Sequence, residues 1–392
     1  MAGTSKGKNR IRVAGSMAIA ACGWLAFTAC DKKEPAVTAS TEILIGEFGS
    51  MTGATATFGQ STHMGIMMAI DSLNTVGGVL DKTIRVISED DQGKPEEAIT
   101  VVTKLINKDR VVALLGEIAS SNSLAAAPVA QKSGIPMVSP GSTNPKVTEV
   151  GDFIFRVCFI DPFQGTAMAK FTANNLKLTR VAVLRDIRSD YSVGLADFYT
   201  KAFTAMGGEI LADESYSAGD KDFTAQLTSI IAKNPQAIFL PGYYTEVGLI
   251  ARQARKLGLT VPLMGGDGWD SEKLWEIGGE ALNGCFYSNH YSVDDTSAMV
   301  RDFVAKFKRR YEGKVPDAMA ALGFDAAMVL ADAIKRAGTA SPDSIRMALA
   351  ATQGFQGVTG STSLDSFRNA VKPAVVLEVR DGKNIYKGSI EP

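Results

Sequence analysis

The 392-residue chain is poor in side chains that do chemistry by themselves. It has two histidines, His63 and His290, and four cysteines. Cys22 and Cys30 fall near the N-terminus, which leaves Cys158 and Cys285 in the body. There is no G-x-S-x-G elbow: "GQSTH" from Gly59 lacks the second glycine. There is no P-loop, and "GGDGWDS" from Gly265 has Ser271 where a dinucleotide fingerprint needs its third glycine. No zinc-type cysteine spacing occurs. Asp90 and Asp91 are adjacent, so on a strand they point to opposite faces and cannot act as a pair. These absences argue against an enzyme, a metal site and a bound cofactor. Lys plus Arg (41) nearly equals Asp plus Glu (42), and no run of like charge suggests a binding tail, which argues against nucleic acid as a partner.

What is present begins with an N-terminus of different material. Lys6, Lys8, Arg10 and Arg12 precede an uncharged, mostly apolar stretch from Val13 to Ala29. That order describes an export signal. A membrane anchor is the alternative, but the stretch falls short of the roughly 20 residues a span needs, and Gly, Ser, Cys and Thr dilute it. The break "FTACDKK" resembles a bacterial lipoprotein signal. Residues 1–30 would then be the signal, Cys30 the lipidated residue, and 31–41 a polar tether. "IAAC", ending at Cys22, competes for the role. The "GWLAF" after it would leave an apolar stub on the mature chain.

The body is too long for one ordinary core, so two domains are expected. From Ile43 onward short apolar strands alternate with helical periodicity. "EILIGEF", "TIRVISE", "VVALL" and "IPMVS" are strands. The helices between them carry Met64, Met67, Ile70 and Leu73, then Ala98, Val101, Val102, Leu105 and Ile106. The alternation restarts after "FIFRVCF" with "RVAVL", "GEILADE", "AIFLPG" and "VPLMGG". Two such series predict two doubly wound α/β lobes with parallel central sheets. Asp295 to Tyr311 and Asp317 to Ala337 read as long helices added to lobes already begun.

Ligands of such sheets bind beyond the carboxyl ends of the strands. Five polar clusters fall there: "EIASSNS", "SPGSTNP", "RDIRSDYS", "PGYYTE" and "GGDGWD". Ser120 lies at a helix start, where free N–H groups and the helix dipole attract a carboxylate. The bland alternative is that Ser120 is only an N-cap. Asp267 lies among glycines that let a ligand approach, and its charge suits an ammonium. As a turn residue it could equally bond its own backbone. Tyr191, Tyr243 and Trp269 supply apolar walls or core.

Several of these segments together resemble the type I periplasmic solute-binding proteins, in particular the leucine/isoleucine/valine-binding components of ABC importers. They are "GSMTGATATFG", "GEIASSNS", "GIPMVSPGSTNP", "FIFRVCFIDPFQG", "YSVGLA", "KDFTAQL", "PGYYTEVGLIARQARKLGL" and "LMGGDGW". The resemblance runs from about Glu42 to the C-terminus. It implies two lobes joined by three hinge strands, with 42–157 plus 288–355 in the first and 158–287 plus 356–392 in the second. It implies that Ser120 and Thr143 hold an amino acid's carboxylate, with Ser121 and Ser142 beside them. The Gly141 carbonyl and Asp267 would take the ammonium. Tyr191, Tyr243, Phe58 and Trp269 would face the ligand. Asp267 is one methylene shorter than the family's usual Glu, and Glu117 would add polarity to the pocket. "FRVCF" and "GCFYSNHY" match hinge strands, so Cys158 and Cys285 could pair in an exported protein or could remain two small buried hydrophobes. The implied function is capture of a branched-chain or similar amino acid for an inner-membrane ABC permease, with membrane attachment only through the N-terminal lipid. A sensor of the same fold, or a binder of a short amide, urea or carboxylate, remains open.

Overall fold

A computed structural model describes residues 41–392. The expected export signal, Cys22, Cys30 and residues 31–40 of the expected tether lie outside the described residues. The first series runs β1 (Glu42–Gly49), α1 (Ala56–Thr75), β2 (Thr83–Asp90), α2 (Pro95–Asn107), β3 (Ala113–Leu115), α3 (Ser120–Ser133), β4 (Met137–Ser139), α4 (Lys146–Glu149) and β5 (Ile154–Arg156). Its strands form one parallel sheet in the order β2-β1-β3-β4-β5. Local chemistry accounts for the helices. In α2, Pro95 opens the first turn, Glu96 and Glu97 face the positive end of the dipole, and Ala98, Val101, Val102, Leu105 and Ile106 are buried. The strands β3, β4 and β5 are buried throughout, as strands covered on both faces must be.

The second series runs α5 (Asp161–Lys170), β6 (Arg180–Asp186), α6 (Asp190–Ala205), β7 (Glu209–Tyr216), α7 (Thr224–Ala232), β8 (Ala237–Phe239), α8 (Tyr244–Lys256), β9 (Leu263–Gly265), α9 (Glu272–Gly278) and β10 (Cys285–Asn289). Then follow α10 (Ala298–Arg310), α11 (Ala318–Ala337), α12 (Pro342–Ala350), β11 (Phe355–Gly357), β12 (Gly360–Thr362), β13 (Ala374–Arg380) and β14 (Lys383–Ile390). The second sheet has the order β14-β13-β10-β9-β8-β6-β7. It is mixed rather than wholly parallel, because β13 and β14 run antiparallel to their neighbours. Asp381 and Gly382, both at positive φ, make the two-residue turn between these strands. Asp-Gly favours that turn, whose twist matches a hairpin.

The long helix α11 packs on α1 of the first lobe. A Cβ on Gly65 would come within 1.9 Å of the Ala320 carbonyl oxygen, and one on Gly323 within 2.5 Å of the Thr62 carbonyl oxygen. Glycine is what lets these two backbones touch. The β11–β12 pair also belongs to this lobe: the Val358 and Thr359 N–H groups donate to Asp325 on α11. Arg368 donates to the carbonyls of Ile154 and Thr148, and Thr148 donates to Asn369. The chain therefore stays on the first lobe through Asn369, past the boundary at 355/356 read from the sequence. It crosses to the second lobe just before β13.

The disulfide does not form. Cys158 and Cys285 are both free and buried. The Cys158 thiol donates to the Ser142 carbonyl, whereas Cys285, at the start of β10, sits against Arg255 and the Ala281 carbonyl. Both belong to crossing segments, but at different heights along them.

Candidate functional site

The serine clusters divide into two groups with different work. The hydroxyls of Ser139, Ser142 and Ser123 lie 2.6, 2.9 and 3.3 Å from the Glu117 carbonyl oxygen, and the Ser142 N–H donates to Ser139 Oγ. They tie the two loops beyond β3 and β4 together. Ser142 is thus spent on the loop itself, contrary to its expected place among the ligand contacts. Glu117 turns its side chain inward too: Oε1 accepts from the Ser50 N–H and hydroxyl, and Oε2 from the Ala119 N–H. Burial pushes its carboxyl up. It organises the loop, and its charge reaches the pocket only through space, at Tyr243.

Ser120 is the first residue of α3, and the N-cap is Ala119, which makes no side-chain cap. The cap reading of Ser120 therefore fails. Its buried hydroxyl oxygen accepts from the Asn144 N–H at 3.2 Å, next to Thr143. Gly141 and Thr143 are buried in the same loop. Arg156, fully buried in β5, holds that loop from below by donating to the carbonyls of Ser142 and Pro145, on both sides of Thr143. Ser121 bonds across the cleft instead. Its hydroxyl donates to Asp190 Oδ2 at 2.8 Å and accepts from the Asp190 N–H at 3.0 Å.

The facing wall contains Asp267, in a short 3-10 turn, with only 3% of its surface exposed. Gln164 Nε2 donates to its Oδ1 at 2.8 Å, and His290 Nε2 lies 2.9 Å from its Oδ2. Tyr191 and Tyr243 stack with ring centroids 5.3 Å apart, and the Gly268 N–H donates to the Tyr191 hydroxyl. Burial first, and then nearby carboxylates, push both phenols well above their usual range, so each keeps its proton. Phe58, from the first lobe, meets Tyr243 edge-on at 5.5 Å. Trp269 does not join this group. Its indole N–H donates to the Leu240 carbonyl, and its ring packs on Gly265 and Tyr287 beside a separate cavity of about 460 Å³.

Three residues that the sequence reading passed over belong here. Asp161 begins α5, and its N–H donates to the Thr143 carbonyl at 2.9 Å. Its side chain is fully buried, and neither carboxyl oxygen has a well-formed hydrogen bond among the described residues. Burial pushes this carboxyl well above the usual range; the Thr143 hydroxyl opposes the shift, the Asp267 charge adds to it and Arg156 opposes it. Gln164 lies one turn on, and His290 lies just beyond β10. "DPFQG" does carry a signal: an acid and an amide three apart at a helix start share one face. The lone His290 carried none. His63, the other histidine, bonds Glu47 at 2.7 Å within the first lobe.

The lobes touch on both sides of these residues. Asn144 Nδ2 donates to the Asp190 carbonyl. Thr57 bonds Ser271 at 2.8 Å, and the Thr245 hydroxyl donates to the Ala54 carbonyl. The result is a closed crevice with hydroxyl and N–H donors on one wall and carboxylates and phenols on the other.

The profile of the family described as periplasmic binding protein matches residues 42–384. The leucine-, isoleucine-, valine-, threonine- and alanine-binding protein of Pseudomonas aeruginosa is 31% identical over 332 residues, 83% of this chain and 87% of its own. The crystal structure of a leucine-binding protein from Thermotoga maritima is similar with a TM-score of 0.86 and 41% identity, covering 89% of this chain and 99% of that one. A branched-chain amino acid transporter substrate-binding protein from Streptococcus pneumoniae, in complex with isoleucine, has a TM-score of 0.84 and 33% identity, covering 90% of this chain and 100% of that one.

Proposed function

Because this chain belongs to the periplasmic binding protein family, we propose that it captures a branched-chain or similar small amino acid outside the cytoplasmic membrane and passes it to an ABC permease. The family is one of binding proteins, not of enzymes. A carboxylate would lie against the Ser120 and Thr143 hydroxyls and the free N–H groups at the start of α3. An ammonium would lie between the Gly141 carbonyl, Asp267 and Asp161. Tyr191, Tyr243 and Phe58 would close over the side chain. Cys30 would carry a lipid that keeps the protein on the membrane surface.

One observation carries the amino-acid reading: the Asp161 carboxyl is fully buried with its hydrogen-bonding capacity unmet. A buried carboxylate without a partner is costly, and a cation supplies what it lacks. A plain carboxylate ligand would bring a further negative charge beside Asp161 and Asp267. The test is a thermal-shift screen of the twenty amino acids on the full chain. At 100 times its dissociation constant a ligand adds about 2.7 kcal/mol of stability. Leucine, isoleucine or valine should raise the melting temperature. If no amino acid shifts it while a short amide or carboxylate does, the reading is replaced by that one.

A further inference from the structure

His290 stands just past β10, where the chain crosses between the lobes, and its side chain is 0% exposed. The ring stacks on Phe159, from the first crossing segment, with centroids 3.9 Å apart and planes 23° from parallel. Stacking and burial fix its orientation. Nε2 then points at Asp267 Oδ2 at 2.9 Å, while Gln164 holds Oδ1. Asp267 is gripped at both oxygens. Nδ1, on the other side of the ring, is buried with no hydrogen-bond partner among the described residues.

We propose that His290 is a positioning residue for the ammonium end of the site: it holds Asp267 toward the ligand through Nε2–H, and a second proton at Nδ1 turns it into a rival cation for the same carboxylate. This rests on the amino-acid reading above. The physical argument has two parts. A proton at Nδ1 would be a buried donor without an acceptor. The charge it brings would stand beside the bound ammonium, and like charges disfavour each other. Capture should therefore weaken in acid.

The surrounding charges are Asp161 and Asp267 of one sign and Arg156 and Lys372 of the other, all within electrostatic reach of Cys158, next to Phe159. Asp270 lies further along, held by Asn289. Burial pushes Asp161 up and Lys372 down. Their contribution is common to any two proteins that differ only at position 290.

The experiment is titration calorimetry with L-leucine at about pH 7.5 and 5.5 on the full chain, His290→Gln and His290→Ala. Gln keeps a donor for Asp267 and cannot take a second proton. Between the two pH values, wild-type affinity should fall about tenfold more than that of His290→Gln. At the higher pH, His290→Ala should bind about tenfold more weakly than wild type, and His290→Gln should recover part of that loss. Coinciding pH profiles for wild type and His290→Gln overturn the proposal. So does His290→Ala binding as tightly as wild type at pH 7.5. Should the Ala variant not fold, the Gln comparison decides alone. If wild type binds no leucine, isoleucine or valine at pH 7.5, the amino-acid reading has failed, and the proposal falls with it.

Discussion

The Asp161 N–H donates to the Thr143 carbonyl at 2.9 Å, so a buried acid of the second series is fastened by its backbone to the loop that presents Thr143. The two groups proposed for opposite ends of one ligand thus share a rigid link. Closure then need not build the ammonium site from parts that move independently.

Asp161→Asn should weaken leucine binding by about tenfold or more, since loss of one buried charge partner typically costs about 2–5 kcal/mol. The ligand-free protein should move the other way at high pH and gain stability, because the variant buries a neutral amide where wild type must bury a charge. The sign with pH follows. Burial raises the folded-state value of this carboxyl, so the folded chain holds the proton longer than the unfolded one. Wild type should lose more stability than Asp161→Asn as pH rises through that raised range, the raised carboxyls of Glu117, Asp91 and Asp317 being common to both. Calorimetry and melting curves with and without leucine check both statements.

Asp267→Asn should cost about tenfold or more in affinity. It removes a charge and turns an amide toward the Gln164 or His290 donor. Ser120→Ala should cost less, about three- to tenfold, because N–H groups at the start of α3 remain. Titration of both variants with leucine tests the order. Equal losses would mean that the ammonium does not use Asp267.

Asp190→Ala removes the side-chain acceptor of the Ser121 hydroxyl, on the far side of the cleft from the Thr57–Ser271 contact. The closed form should lose about 1 kcal/mol, so leucine should leave several-fold faster with little change in its on-rate. Stopped-flow kinetics measures this, and an unchanged off-rate would show that the contact does not hold the lobes shut.

Gly65→Ala should destabilise the protein by about 1–3 kcal/mol or more, because the new methyl would meet the Ala320 carbonyl oxygen at 1.9 Å. Chemical denaturation reads the loss directly. A variant as stable as wild type would mean that α1 and α11 separate without cost.

Cys30→Ala should release the protein from the membrane fraction or block its processing. Fractionation with mass spectrometry of the mature N-terminus decides it. A processed, membrane-bound Cys30→Ala protein would end the lipid-anchor reading.

The pattern of the chain alone determined the two α/β series and the position of polar loops beyond the strands. Periodicity and glycine punctuation are local properties, and α2 follows them residue by residue. The roles proposed for Ser120, Thr143, Asp267 and the tyrosines come from loop segments that resemble a known family. Only the tertiary structure decided how those loops share their work. Ser142 and Glu117 look like pocket residues in one dimension, yet they serve the loop, because a backbone carbonyl and a neighbouring N–H reach them first. Trp269 follows Asp267 by two residues, but the short 3-10 turn sends its ring to the core side. The late crossing to β13 depends on contacts of Arg368 and Asn369 with residues more than two hundred positions earlier. Asp161, Gln164 and His290 come from two separate crossing segments. Their meeting at Asp267 is set by which strands lie side by side, a relation that no spacing along the chain encodes.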